Sequence, residues 1–506
     1  MKRIHQFTCL TLGLVLLATA ARAEEIKLAS IFTDHMILQR ELPLTIWGTG
    51  PAGETITVTF ASQKKTAAID ADGKWQVKLA PLHASAESRD LTIESKGVKT
   101  NITDVVVGEV WLASGQSNME WLLTNTTGAS NVIATAGDPL LRLFGVGRSV
   151  SDTPVTVVTG QWSACTSSNA GVFSAVGYFF GRDLRKSLNI PVGIIRSAWG
   201  GTTAQAWTSQ ETLAGDPLLK KRIEEYELAI KNYDPVKAET QYQAALVKFK
   251  EAAATAKADG QPTPKEPTKP RPPGPNQNSP ARLYNGMIAP LVPLSFRGVI
   301  WYQGESDAGR AQEYRTLFPA LIKNWRQVFG HDFPFLFVQI APYKSQPPEI
   351  RDAQLYAWRS VPNTAMAVIT DYGDAGNIHP RDKEPVGARL ALAARALAYG
   401  EKIEYSGPVF DAVKFDGARA ILSFQHCGAG LIAKGDALKG FTITGDTNFV
   451  PATATIDGQH VIVTSEQVAQ PVAVRYGWEN VPDVNLFNKD GLPATPFRTD
   501  KSIAAP

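Results

Sequence analysis

The 506-residue sequence predicts an α/β core built on a parallel sheet, with a β-sandwich-like domain on either side. Three observations carry this. Continuous apolar runs recur at 105–113, 192–197, 299–302, 335–340 and 365–370, as expected of strands buried on both faces. Apolar residues at helical spacing fall between and after them, at 175–188, 314–329 and 386–399. The flanking segments, 24–103 and 401–506, carry short alternating strands broken by Gly, Pro and Asp turns. The length agrees with several units, since single hydrophobic cores stop growing at roughly 250–300 residues.

In chain order, Lys2 and Arg3 precede an apolar run that ends in Ala21-Arg22-Ala23. This is the pattern of a secretory signal peptide over residues 1–23, cut before Glu24. The run is short for a membrane span, which needs about 20 apolar residues. The protein is therefore expected to be exported, to a periplasm or the outside, with no membrane attachment after cleavage. The chain holds 51 basic and 48 acidic residues; losing Lys2, Arg3 and Arg22 leaves 48 of each. Net charge draws such a chain neither to nucleic acid nor to an anionic membrane. Cys165 and Cys427 remain, and either a disulfide or two buried thiols fits an oxidising compartment.

In the first β domain, 24–103, the alternating run 55–60 and the run 75–79 are separated by the turn Asp72-Gly73. The core spans 104–400 and is interrupted at about 211–280. There 218–257, rich in Lys, Glu and Ala, reads as one or two exposed helices, and eight prolines follow between Gln261 and Pro280. The proline stretch is an extended linker or a segment for a Pro-binding partner. After 401 the runs 420–424 and 460–464 return to β texture, with turns at Asp416-Gly417 and Asp457-Gly458.

The chemistry concentrates where apolar strands end. Ala113-Ser114-Gly115-Gln116-Ser117-Asn118-Met119 follows a buried run, with Gly115 allowing a tight turn that presents Ser117. A lone Gly-x-Ser turn is more often a helix cap, so the base decides. Of the histidines left after cleavage, His35 and His83 lie in the first β domain, and His426 and His460 in the last. His331 sits in a helix-to-strand connection, at the opposite end of the sheet. His379 lies in the loop after the run 365–370, at the carboxyl ends of the strands where reactive residues gather. Topology selects His379. Donors for an oxyanion are offered by Trp199-Gly200-Gly201-Thr202 and by Gln303 in Trp301-Tyr302-Gln303-Gly304-Glu305-Ser306-Asp307. Trp121, Trp199, Trp207 and Tyr302 lie in or beside these loops, either as core or as faces for a sugar ring. Glu305 is a further candidate for substrate contact.

The blocks Gly108–Trp121, Trp199–Thr202, Trp301–Asp307 and Ile378-His379-Pro380 resemble, in the same order, those of the sialate O-acetylesterase family, a branch of the SGNH hydrolases. The flanking stretches Asp34-His35-Met36-Ile37-Leu38-Gln39-Arg40 and Arg475-Tyr476-Gly477-Trp478 resemble its outer modules, so the similarity covers almost the whole mature chain. The resemblance implies a hydrolase with a flavodoxin-like core and acetylated sugar substrates; the histidine and cysteine spacings give no zinc pattern, and the expected reaction requires no metal or cofactor. The resemblance also makes Ser117 the nucleophile, His379 the general base and acid, and Ser117 N–H, Gly200 or Gly201, and Gln303 the oxyanion donors. Two departures stand out. Gly376 occupies the position, three before the histidine, where SGNH enzymes commonly carry the triad's Asp. The orienting role then falls to Asp371, Asp374 or Asp382, or to the backbone carbonyl of Asn377, which would leave a dyad. Gln205 stands where relatives often have an acidic residue.

The expected reaction is acyl-enzyme hydrolysis of a sugar acetyl ester, with a sialate 9-O-acetyl group as first substrate. An acetylxylan or other plant-polysaccharide esterase is the near alternative. A non-catalytic carbohydrate-binding protein is the distant one.

Overall fold

One strand organises the chain. In the computed structural model, which describes residues 25–270, 272 and 274–500, the strand Val98–Gly115 runs through two layers without a break. Its first half pairs antiparallel with Ser85–Ser95, and around Val106–Gly108 it pairs with Ile37–Gln39. Its second half enters the core sheet. Position 104, where the sequence changes texture, therefore lies inside a continuous strand. The expected signal segment lies outside the described residues.

The core elements follow in chain order: β1 (Val98–Gly115), α1 (Ser117–Glu120), β2 (Asp138–Gly145), β3 (Trp162–Cys165), α2 (Ala175–Leu188) and β4 (Val192–Ala198). Then come α3 (Pro217–Lys231), α4 (Pro235–Ala258), β5 (Gly298–Tyr302), α5 (Ala311–Phe329), β6 (Phe335–Val338), α6 (Pro348–Ser360), β7 (Thr364–Ala367) and α7 (Glu384–Leu397). The core strands lie in the order β3-β2-β4-β1-β5-β6-β7, and all neighbours are parallel except the edge pair β3–β2. Strand β1 thus lies between β4 and β5, which continue the chain in opposite directions across the sheet. A cleft opens at the carboxyl end of a strand placed this way.

Local chemistry explains the elements. Every residue of β5, β6 and β7 is buried, which accounts for their unbroken apolar character. Helix α2 starts where the Ser174 hydroxyl accepts the Gly177 N–H and stops at Asn189, in left-handed conformation. The sequence reading missed α6, the edge strand β3 and its neighbour β2. Helix α6 follows Pro347-Pro348, which resembles a turn but also suits the first helical turn.

The insertion forms two helices, each begun by an Asp side chain (Asp216, Asp234) that caps the first N–H groups ahead of a proline. Helix α3 is fastened to the core by buried Leu219 and Ile223 and by the Arg222–Glu313 ion pair. Helix α4 buries no residue. Beyond 401 the chain forms two four-stranded sheets and a two-stranded one. Cys165 and Cys427 are both buried free thiols rather than a disulfide.

Candidate active site

Ser117 begins α1 directly beyond β1. The turn that lifts it out of the sheet requires Gly115: its φ is +133°, and a Cβ there would stand 2.2 Å from the Tyr302 carbonyl oxygen. Gln116 closes the turn from below, donating its N–H to the Tyr302 carbonyl (2.9 Å) and accepting the Ser306 N–H on its side-chain oxygen (3.2 Å).

His379 arrives from the loop after β7, and its Nε2 lies 2.8 Å from Ser117 Oγ. The backbone N–H of His379 donates to Asn377 Oδ1 (2.9 Å), and the ring stacks on Trp121 at 5.3 Å with 22° between planes. Burial, aided by the nearby Lys383 charge, holds the imidazole below its ordinary pKa, so the neutral, proton-accepting form is favoured at neutral pH.

Among the described residues, no carboxylate hydrogen-bonds the His379 ring. Asp371 is bound by Arg389 (2.7 Å for each of two contacts). Asp374 caps its own loop through the Gly376 N–H (2.8 Å). Asp382 accepts from the backbone at Glu384. Nor, among the described residues, does a hydrogen bond join the Asn377 carbonyl to the ring; the Asn377 side chain holds the histidine's backbone instead. The arrangement is a Ser–His pair, with the imidazole set by stacking and by its loop.

The oxyanion candidates divide. Gly200 presses against the nucleophile: a Cβ on it would stand 3.2 Å from Ser117 Cβ. Its N–H donates to Glu120 Oε2 (2.9 Å), and Arg148 holds the same carboxylate (2.6 Å). Gly201, at φ +71°, borders open space. Gln303 departs from expectation. Its amide nitrogen donates both hydrogens inward, to the Thr202 carbonyl (3.1 Å) and Asp307 Oδ2 (2.6 Å), and its oxygen accepts from the Tyr314 hydroxyl (3.1 Å). It shapes the loop and presents no free donor. Asp307 completes that brace by accepting the Ala204 N–H (2.8 Å).

The aromatic candidates divide as well. Trp207 and Tyr302 are 0% exposed and have no face to offer a ligand. Trp207 instead donates its indole N–H to Thr202 Oγ1 (2.9 Å). Trp121 and Trp199 are half-buried at the rim, Arg148 lying 5.2 Å from the Trp199 ring centroid. Glu305 is buried among protein groups, with one oxygen accepting from Asn118 Nδ2 (2.6 Å).

Four residues of the site escaped the sequence reading: Asn118, Glu120, Lys383 and Asn278. Asn278 lies at the end of the proline-rich stretch. It accepts the Thr203 N–H (2.9 Å) and donates to the Gly201 carbonyl (3.0 Å), so the insertion returns to brace the loop beside Ser117.

Residues 276–395 match the family described as carbohydrate esterase, sialic acid-specific acetylesterase. Sialate O-acetylesterase of Mus musculus is 31% identical over 541 residues, covering 96% of this chain and 96% of that protein. The Homo sapiens enzyme is 31% identical over 543 residues, covering 96% of this chain and 95% of its own. The crystal structure of a carbohydrate acetylesterase from Xanthomonas citri matches with a TM-score of 0.80 and 39% identity, over 94% of this chain and 100% of that one. Fold, site and these matches define an enzyme of the carbohydrate-esterase class. Within it, the chain belongs to the sialate O-acetylesterase family.

Proposed function

We propose that the protein hydrolyses acetyl esters on sugars through an acetyl-Ser117 intermediate. The observation that carries this is the 2.8 Å contact between Ser117 Oγ and His379 Nε2 at the carboxyl edge of the sheet. Ser117 attacks the acetyl carbonyl as His379 takes its proton. His379 returns that proton to the departing sugar hydroxyl, and water repeats the sequence on the acetyl-enzyme. The Ser117 N–H and the Gly200–Gly201 loop receive the oxyanion, Gly200 contributing once Glu120 releases it. Gln303 and Asp307 keep that loop in place. Trp121 and Trp199 are the rings available to a sugar.

The core is read as an SGNH-type, flavodoxin-like unit flanked by β sandwiches, and the chain as exported; the parallel strand order and the signal-like first 23 residues support these readings. The names of the mouse and human relatives point to O-acetylated sialate as substrate. The 39% identity to the Xanthomonas citri carbohydrate acetylesterase supports an acetylated carbohydrate as substrate without choosing the sugar, and an acetylated polysaccharide such as xylan is the second reading.

Acetate release should be measured from O-acetylated sialic acid, acetylated xylan and 4-nitrophenyl acetate. Wild type is expected to cleave the aryl ester and one of the sugars, and Ser117→Ala and His379→Ala to lose about 10⁴-fold or more in kcat while folded. Wild-type turnover by folded Ser117→Ala would exclude the reading, and an inert wild type would favour a binding protein.

A further inference from the structure

Behind the Ser117–His379 pair lies a buried polar chain that the reaction as written does not use. Asn118, the residue after the nucleophile, is 0% exposed and all its side-chain bonds go to protein. Its Nδ2 donates to the carbonyl of Ile378 (3.1 Å), the residue before His379, and to Glu305 Oε1 (2.6 Å). Its Oδ1 accepts from Lys383 Nζ. Lys383 is itself 0% exposed, and Asn118 is its one hydrogen-bond partner among the described residues.

We propose that Lys383 is a positioning residue for the acyl transfer: through Asn118 it fastens the turn that carries Ser117 to the loop that carries His379. An asparagine amide can rotate by half a turn and exchange its donors for its acceptor. The Lys383 ammonium has only donors, so while it is charged its contact with Oδ1 fixes which way Asn118 faces and keeps Nδ2 aimed at the Ile378 carbonyl. That bond ties the base's loop to the residue beside the nucleophile.

The cost of the arrangement argues for a role beyond stability. Burying a cation without a direct carboxylate partner carries a desolvation penalty that one neutral amide oxygen does not offset. A methionine of similar shape would fill the same space without that penalty. Burial pushes the Lys383 ammonium down to about 7, against the opposing attraction of Glu305 and Asp382. Glu305 is equally under-satisfied: its Oε2 has no hydrogen-bond partner among the described residues, and burial pushes its carboxyl up.

The chain also reaches the base electrostatically. Lys383 Nζ lies 5.7 Å from the Trp121 ring and 5.4 Å from the Tyr302 ring, and Trp121 is the ring on which His379 stacks. The titratable groups around it are Glu305 behind Asn118, Asp382 in its own loop, Tyr302 on β5 and His379; Asp307 in turn acts on Glu305. While charged, Lys383 opposes protonation of His379 and so extends base activity to lower pH.

The inference rests on the Ser117–His379 reading, and the test separates the two. Aryl acetate hydrolysis is measured across pH for wild type, Lys383→Met, Asn118→Ser, the double variant and Ser117→Ala. Lys383→Met is expected to lose roughly 10- to 100-fold in kcat, as displacements near 1 Å do, with KM changed less than about threefold. The acidic limb of its kcat/KM profile is expected to move to higher pH, which loosened packing alone would not produce. On the pH plateau above the acidic limb, where the lysine's charge effect on His379 no longer counts, the double variant should be no slower than Asn118→Ser, because the lysine positions the loop through that residue. Wild-type kcat and pH profile in Lys383→Met, or fully additive losses in the double variant on that plateau, would overturn the proposal. Should Lys383→Met not fold, Asn118→Ser decides: a matching kcat loss supports the link and wild-type kcat overturns it. Activity surviving in Ser117→Ala would instead overturn the site reading itself.

Discussion

Two buried carboxylates lie near the two ends of the core segment of β1, and they are treated in opposite ways. Glu109, where β1 enters the core sheet, is 0% exposed and saturated: Gln39 (3.1 Å) and Arg297 (2.8 and 3.1 Å) donate to it, as does Arg40. Glu305, beyond the carboxyl end of the neighbouring strand β5, accepts one side-chain donor, and its second oxygen has none among the described residues. The first carboxylate ties the N-terminal β layer to the core. The second sits behind the nucleophile, in a chain that ends on a lysine to which no carboxylate is bonded among the described residues. Saturated polar clusters fix a structure, whereas partly satisfied ones are tolerated where the field they create is useful.

The comparison breaks most visibly at Glu109. Glu109→Ala leaves two arginines without their shared partner and is expected to lower stability by about 3–5 kcal/mol by chemical denaturation, with kcat of the folded fraction unchanged. A kcat loss without a stability loss would reverse the roles assigned to the two sites. Glu305→Gln should do the opposite. It keeps an oxygen for Asn118 and removes an unpartnered charge, so stability should hold within about 1 kcal/mol while kcat falls roughly tenfold.

Asp307→Ala frees the Gln303 amide and the Ala204 N–H together. It is expected to cost roughly 10- to 100-fold in kcat through a displaced oxyanion loop, measured on an aryl acetate. The smallest effect belongs to Asp374, which caps its loop and makes no hydrogen bond to His379 among the described residues. Asp374→Asn should stay within about threefold of wild-type kcat, and a loss near 10³-fold would restore it as a triad member.

Much of the site was legible because strands buried on both faces announce themselves as unbroken apolar runs, and reactive residues follow their carboxyl ends. That logic selected Ser117 and His379, and the structure brings the two into contact. It could not reveal Lys383. Arg381-Asp382-Lys383-Glu384 reads as a solvated charge run, yet the lysine turns inward while Glu384 pairs at the surface with Arg182 (2.8 Å). Nor could local pattern show that Gln303 spends its amide on Thr202 and Asp307, or that Trp207 and Tyr302 are core. Such facts depend on contacts between segments distant in sequence. The Asn278 brace is the extreme case, since a proline-rich stretch gives no local hint of returning to the site.

The central claim, that His379 activates Ser117, is tested most directly by labelling with an aryl-phosphonate ester, which reacts with activated serines, followed by peptide mass analysis. The account predicts one adduct, on Ser117 in the wild type, absent in Ser117→Ala and strongly slowed in folded His379→Ala. An adduct on another residue, or labelling of His379→Ala at the wild-type rate, would contradict it.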